Sequence, residues 1–164
     1  YSGSILRGEG FHAALEEAGR DDITVLAEKF QKFQKADAMT CMEDWITAYG
    51  DKIDGVISEN DDMALGAIEA LRGAGMTADK DHVLVYGIDG LYQGCKAIKE
   101  GSIQASAYQN SNDYAEATLT RIQKLESGEM KPTDVEDLTF DAAYIDSSNV
   151  DEFLTYYEEN GMAQ

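Results

Sequence analysis

The sequence predicts an α/β fold in which a three-layer, mainly parallel sheet is flanked by helices. Two observations predict it: short β-rich runs alternate with longer segments of helical period, and no Pro-rich or Gly/Ser-rich linker divides the chain. The composition agrees, because 164 residues with 43% hydrophobic and 27% charged side chains suit a globular chain that buries a core.

The β-rich runs are the strand candidates, and they are spaced as in successive βα units. They cover residues 23–27, 53–58, 83–88, 103–108 and 138–145.

The helices follow from apolar residues that recur at three- and four-residue steps. Helix-like sequence begins within a few residues of Tyr1, and a helix ends near residues 97–101. Further helices are expected over residues 63–72, with a glycine stop after them, over 114–126, before a turn at the single proline Pro132, and over 147–161. One more helical stripe is expected to pack into the core; its members are Met39, Met42, Trp45, Ile46 and Tyr49.

The net charge separates the possible partners. With 13 Lys+Arg against 32 Asp+Glu, the chain carries a formal charge of −19 and would be repelled by phosphate backbones and anionic lipids. No run reaches the roughly 20 apolar residues that span a bilayer. Nucleic acid is therefore not an expected partner.

The two cysteines do not indicate a disulfide scaffold. Cys41 and Cys95 lack any CxxC or Cys/His spacing, so we expect small buried residues, with a single disulfide as the alternative.

Polar side chains follow the predicted strands at their carboxyl ends, where ligands bind in open parallel sheets. Residues 59–62 follow one strand, and Asp61 or Asp62 can cap the next helix. Asp89 and Gln109 follow two others. Taken singly, such residues often only cap helices and shape turns, but together they offer the donors and acceptors that hydroxyl groups need.

The glycines beside the strand aspartate suggest a close approach. Gly87 and Gly90 flank Asp89, and their missing side chains would let a ligand or another backbone come near.

Catalytic and metal motifs are weak. His12 and His82 have no Ser or Cys partner in a recognisable motif, so both are expected to be structural or surface residues. The acidic residues 59–62 lack the spacing of a calcium loop. The sequence therefore predicts no enzyme, no cofactor and no metal.

Four segments in order carry a resemblance to a known family. The segments read RGEGF at 7–11, ISENDDMALGA at 57–67, VYGIDG at 85–90, and AIKEGSIQA at 97–105, which leads to Gln109. Over about residues 1–130 the chain resembles the second half of a type I periplasmic sugar-binding protein, the solute receptor of an ABC importer. The tail at 145–153 resembles the closing segment of these receptors.

The resemblance implies a binding site between two lobes. Arg7 resembles the arginine that forks onto sugar oxygens, Asn60 and Asp89 match the amide and carboxylate that bind ring hydroxyls, and Gln109 matches a glutamine near the hinge. Phe33 would be the aromatic platform under the sugar, with Phe30 as a rival; either could instead belong to the core.

The resemblance also implies an arrangement of the chain. Residues 1–109 would form the C-terminal lobe, incomplete at its start, and residues 110–164 a returning segment with helix 114–126, strand 138–145 and a final helix. The chain looks truncated, because the first lobe and the strand expected before Tyr1 are absent; tight sugar binding by this segment alone is not expected.

The implied partners are a sugar and an ABC transporter permease, outside the cytoplasm, with a lipid anchor on the missing N-terminus as the link to the membrane. Self-association could cover the open sheet edge. The alternative is the effector domain of a lactose-repressor-type regulator, which shares the fold. The identity of the sugar does not follow from the sequence.

Overall fold

The computed structural model describes residues 2–76, 83–134, 140 and 143–163. The helices are α1 (Ser2–Glu17), α2 (Lys35–Tyr49), α3 (Asp61–Gly73), α4 (Tyr92–Lys99), α5 (Ser111–Ser127) and α6 (Val150–Glu159). The strands are β1 (Gly55–Ile57), β2 (Leu84–Asp89), β3 (Ala105–Tyr108) and β4 (Ala143–Asp146). A short 3₁₀ turn, Gly50–Lys52, connects α2 to β1.

The strands form one four-stranded sheet in the order β1-β2-β3-β4. The first three are parallel and joined by helical crossovers, whereas β4 runs antiparallel to β3. The predicted fold class, a mainly parallel sheet flanked by helices, is confirmed.

One core lies between the sheet and the helices. Val85, Ser106 and Ile145 share the inward face, and they pack beneath α3, α4 and α6. The predicted stripe on α2 joins this core: Met42 is buried, and its neighbours Trp45 and Ile46 pack against the core from the edge. Gly66 lets α2 and α3 approach closely, because a Cβ there would lie 2.2 Å from the Lys35 carbonyl oxygen.

The predicted strand at residues 23–27 is wrong. Those residues have no regular secondary structure, and Ile23, Val25 and Leu26 stay partly exposed. A strand is stabilised by hydrogen bonds to a neighbouring strand, and β1 at the edge of the sheet pairs with β2 alone. No described strand therefore pairs with residues 23–27, and the β propensity of these residues is not enough to make a strand.

The other predicted strands are present with shifted ends. Their cores match β1 to β4, although residues 138, 139, 141 and 142 of the last prediction lie outside the described residues. The predicted helices are present as well, and Gly128, in the left-handed conformation, caps the end of α5.

Two helices contribute little to the core. On α1, Ser4 is buried and residues 5–17 are partly or fully exposed. No residue of α5 is buried. An apolar stripe on α5 is exposed and consists of Tyr114, Leu119, Ile122 and Leu125.

The cysteines behave as the composition predicts. Cys41 and Cys95 are buried and free, so the disulfide alternative is wrong. Within the described residues, no helix is both long and apolar enough to cross a bilayer.

Candidate ligand-binding site

The first site residue lies where β1 ends and α3 begins. Asn60 caps α3, and its side-chain oxygen accepts a hydrogen bond from the Met63 N–H at 2.9 Å. The expectation that Asp61 or Asp62 caps this helix is therefore wrong, because the cap falls one residue earlier. Asp61 is instead fully buried, and Asp62 is exposed.

Asp89 is the last residue of β2, at the carboxyl edge of the sheet. Its φ of 111° is rare for a residue with a side chain and carries strain. Burial raises the pKa of Asp89, while the Arg7 guanidinium lowers it and Asp62 raises it further. The net rise means that the surroundings stabilise the ionised carboxylate less than water would.

Arg7 lies on α1 and faces this carboxylate. Its Nη2 lies 3.6 Å from Asp89 Oδ1, and both side chains keep about a quarter of their surface exposed, at 26% and 28%. Its Nη1 donates to the backbone oxygen of Glu59, the residue before the cap of α3. Arg7 therefore bridges the ends of β1 and β2.

Phe33, and not its rival Phe30, lies beside Arg7. The Arg7 guanidinium carbon lies 5.8 Å from the Phe33 ring centroid, within the range of a cation–π contact. Phe33 has a φ of 56°, whereas Phe30 is 66% exposed and lines a separate cleft against α1. Neither ring belongs to the core.

Strained backbone coincides with the candidate site. Among the described residues, Phe33 and Asp89 are the non-glycine residues with positive φ. Such strain persists where the surrounding structure holds it, and it collects at ligand sites.

Gln109 directly follows β3 at the same edge. Its backbone N–H donates to the Asp89 carbonyl oxygen at 3.1 Å, which extends the β2–β3 ladder by one step. The fold thus brings all the predicted site residues to one end of the sheet: Arg7, Phe33, Asn60, Asp89 and Gln109.

The glycines around Asp89 have a different role from the one predicted. A Cβ on Gly87 would lie 2.1 Å from Asp61 Oδ1, and one on Gly90 would lie 2.6 Å from the Tyr108 ring. The space that these glycines leave is filled by other residues of the chain. The predicted close approach is therefore made by Asp61 and Tyr108, whose Cα atoms lie 3.5 Å from the Cβ positions of Gly87 and Gly90, and not by a ligand.

The sequence analysis missed Ser106, which lies on β3 and is buried. Its hydroxyl donates to Asp61 Oδ1 at 2.6 Å and accepts from the Gly90 N–H at 3.1 Å. The available signal was a serine at an inward position between two alanines of a strand, because a buried polar group needs partners.

Neither His12 nor the acidic cluster at residues 59–62 forms a metal site among the described residues. His12 is exposed and pairs with Glu28, and His82 lies outside the described residues. Within residues 2–76, 83–134, 140 and 143–163, no group of three or more His, Cys, Asp or Glu side chains is arranged to hold a metal ion.

Comparisons with known proteins show which family the chain is similar to. The family model described as the periplasmic binding protein domain matches residues 3–130. A xylitol-binding protein of Mycolicibacterium smegmatis is 39% identical over 133 residues, which are 81% of this chain and 36% of that protein. The ribose import binding protein of Escherichia coli is 33% identical over 123 residues, 75% of this chain and 39% of that protein.

Solved structures show the same fold. The Caulobacter myo-inositol binding protein, bound to myo-inositol, superimposes with a TM-score of 0.81 at 29% identity and covers 93% of this chain and 51% of its own. A galactofuranose binding protein gives a TM-score of 0.81 at 28% identity, over 98% of this chain and 52% of its own.

The chain spans less than half the length of the curated relatives named above and about half that of the solved structures. Those relatives are binding proteins and not enzymes, in agreement with the expectation of a non-enzymatic chain. From the family match and these identities, the chain belongs to the type I periplasmic binding proteins.

Proposed function

We propose that this chain provides one face of a sugar site in the solute-binding component of an ABC importer. Arg7, Phe33, Asn60, Asp89 and Gln109 would make the ligand contacts. The proposal is supported by relatives that bind ribose and xylitol, and by a structural neighbour bound to myo-inositol.

The meeting of Arg7, Phe33 and Asp89 carries the proposal. A guanidinium, a carboxylate and an aromatic ring from three separate segments converge at one edge of the sheet. Sugars present hydroxyl groups that need paired donors and acceptors, and C–H faces that pack on aromatic rings. This set of side chains supplies both.

The charge state of the pair suits a neutral polyol. Asp89 accepts hydrogen bonds when it is ionised, and Arg7 donates several in a fixed plane. Each charge offsets the other, so a ligand without charge can bind at the exposed side of the Arg7–Asp89 pair without adding an uncompensated charge. A ligand that lacks the matching hydroxyl would leave a partly buried charged group unpaired, which makes such a site selective.

The arrangement of the chain belongs to the same proposal. Residues 1–109 would form a C-terminal lobe and residues 110–164 a returning segment, and the exposed apolar stripe on α5 is consistent with a helix whose partner lies elsewhere. We propose a permease partner, an extracytoplasmic location and a lipid anchor as parts of the same function; the family match supports the first two. Self-association would be an alternative cover for the open edge of β1.

The alternative function, the effector domain of a transcription regulator, is not favoured, because the curated relatives are import and solute-binding proteins.

The test is a titration of the 164-residue chain, ¹⁵N-labelled, with ribose, xylitol and myo-inositol, followed by chemical-shift changes that detect weak binding. We expect at least one of them to shift resonances of Arg7, Asn60 and Asp89. Asp89→Ala should raise Kd by at least about 10-fold, because hydrogen bonds to charged groups contribute about 1.5–3 kcal/mol.

A matched control is Asp44→Ala, which removes an exposed carboxylate from α2. It should leave the affinity unchanged. Equal affinity in Asp89→Ala and the original chain would remove Asp89 from the site, and shifts confined to other surfaces would contradict the site as a whole.

A further inference from the structure

Asp61 is a carboxylate that no part of the proposed ligand set explains. It is the first residue of α3 and is 0% exposed. Its two oxygens have separate partners: Oδ1 accepts from the Ser106 hydroxyl at 2.6 Å, and Oδ2 accepts from the Leu91 N–H at 2.7 Å. A buried charge is retained at such a position only when hydrogen bonds compensate for lost hydration.

Two glycines from different elements make room for this carboxylate. A Cβ on Gly87 of β2 would lie 2.1 Å from Asp61 Oδ1, and a Cβ on Gly94 of α4 would lie 2.3 Å from Oδ2. Any side chain at either position would displace the carboxylate. The carboxylate therefore occupies a fixed position between α3, β2 and α4.

The hydrogen bonds of Asp61 lead to the turn that follows Asp89. Ser106, held by Asp61, accepts from the Gly90 N–H at 3.1 Å, and the Tyr157 hydroxyl donates to the Gly90 oxygen at 2.6 Å. The Leu91 N–H is bound by Asp61 directly. The buried Asp61 and Ser106 and the partly buried Tyr157 thus hold the polar backbone groups of Gly90 and the N–H of Leu91.

This turn is the place where the backbone is strained. Asp89 has a φ of 111° and Gly90 a φ of 73°. A non-glycine residue keeps such a conformation only where its surroundings hold it there.

We propose that Asp61 is a positioning residue for Asp89: through Ser106 and the Leu91 N–H it holds the turn at residues 89–91 in the conformation that directs the Asp89 carboxylate toward Arg7 and the ligand. This inference rests on the proposed function of Asp89, but the conformation of the turn can be tested without a sugar.

The ionisation of Asp61 allows the proposal to be tested by changing the pH. Burial raises the pKa of Asp61 to about 6, the bonds from Ser106 and Leu91 oppose the rise, and the nearby Asp89 adds to it. Other described titratable groups near Asp61 are the Cys95 thiol on α4 and the Tyr157 hydroxyl on α6. Tyr108 of β3 interacts with both of them, and Asp62 lies next on α3. A protonated Asp61 turns one acceptor oxygen into a donor, so one of its two bonds must be lost or reversed.

The experiment follows the 164-residue chain by NMR between pH 4.5 and 8 without sugar. We expect the amide resonances of Gly90 and Leu91 to titrate together with the Asp61 side-chain carbon. In Asp61→Asn the part of this titration that follows the Asp61 side-chain carbon should disappear and only a part that follows Asp89 should remain, whereas Glu69→Gln, which removes an exposed carboxylate from the same helix, should preserve both. Amides that do not titrate, or that titrate unchanged in Asp61→Asn, would overturn the proposal.

Ser106→Ala provides a second route if Asp61→Asn does not fold. It should weaken the titration of Gly90 more than that of Leu91, because the carboxylate accepts directly from the Leu91 N–H at 2.7 Å and reaches Gly90 mainly through Ser106. A Gly90 titration that Ser106→Ala leaves unchanged would contradict the path through Ser106.

Sugar affinity separates this inference from the proposed function. For whichever of ribose, xylitol and myo-inositol binds, Asp61→Asn should raise Kd by about 10-fold or more. Affinity lost in Asp89→Ala but kept in Asp61→Asn would overturn the positioning role alone. If none of these sugars binds, the proposed function fails, and the amide titration still decides whether Asp61 holds the turn.

Discussion

The packed block of this chain differs sharply from its outlying helices. In the packed block, formed by α2, α3, α4, α6 and the four strands, the apolar side chains that face the core are almost fully buried, as Ile68 is at 5% exposure, whereas Ile57 and Tyr144 on the other face of the sheet are exposed. On α5 similar side chains stay in solvent, and Leu119 is 59% exposed. Amphipathic sequence is therefore present in both regions, but only in the packed block does an apolar face pack against a partner surface among the described residues.

The candidate ligand site lies where these regions meet. Asn60, Asp89 and Gln109 come from strand ends of the packed block, whereas Arg7 lies on the outlying helix α1 and Phe33 on the irregular segment before α2. The packed side supplies fixed hydrogen-bonding groups. The outlying side supplies the cation and the ring, which contact the block through few groups.

The largest expected change in stability comes from adding a methyl group to a glycine of the packed block. Gly66→Ala would place a Cβ 2.2 Å from the Lys35 carbonyl oxygen, and backbone cannot move aside as a side chain can. We expect a loss of about 4 kcal/mol in the free energy of unfolding, or a failure to fold.

The matched change in the outlying region is Gly10→Ala in α1, where nothing lies within 4 Å. There the higher helix propensity of alanine should stabilise the chain by up to about 1 kcal/mol. Urea denaturation measures both variants, and similar losses in both would show that α1 packs as tightly as α3.

Truncation of apolar side chains is the next largest effect. Ile68→Ala removes a fully packed side chain of α3 and should cost about 3 kcal/mol. Leu119→Ala on α5 should change the free energy of unfolding by less than about 0.5 kcal/mol, because it removes no buried contact. A loss above about 2 kcal/mol at Leu119 would mean that α5 is covered in solution, by another part of the chain or by a second copy.

The same contrast explains what the sequence could predict. Helical and strand periods reflect burial against a neighbour, so β1 to β4 and the core stripe around Met42 were predictable. The run at residues 23–27 has a similar composition but no strand beside it, and pairing is not visible in a local pattern.

The site was predictable in part for a related reason. Asp89 and Gln109 follow strand ends, which a linear pattern reveals, whereas Arg7 and Phe33 required a resemblance to a family. The hydrogen bond between Ser106 and Asp61 joins residues 45 positions apart, and no local signal pairs them. Gly87 was interpreted as an opening for a ligand because the side chain that fills its space lies on another element.

The pH dependence of stability tests the charge inside the packed block. Asp61 has a folded-state pKa of about 6 against an ordinary value of 3.8, so between these values the folded chain binds more protons than the unfolded one. The favourable effect of protonation is fully present below about pH 4 and is lost as the pH rises through about 6. The loss amounts to at most about 3 kcal/mol.

Asp61→Asn should remove this dependence, while Asp44→Asn on the exposed face of α2 should retain it. The measurement is the free energy of unfolding in urea at several pH values from 4.5 to 7.5. An equal pH slope in Asp61→Asn and the original chain would show that Asp61 titrates alike in the folded and unfolded states.

The smallest expected change in stability concerns the contact that joins the two regions. The Arg7–Asp89 pair spans 3.6 Å with both groups partly exposed, so Arg7→Gln should cost less than about 1 kcal/mol. Arg7→Gln should also change the pKa of Asp89. Burial and Asp62 raise this pKa and Arg7 lowers it, so the pKa should rise further when the guanidinium is removed. Side-chain ¹³C NMR measures this directly, with Arg20→Gln, which breaks the exposed pair with Asp22, as the control. If the pKa of Asp89 did not change in Arg7→Gln, α1 would not hold its guanidinium against the sheet edge in solution, and the outlying region would contribute nothing to the site until a ligand brought it there.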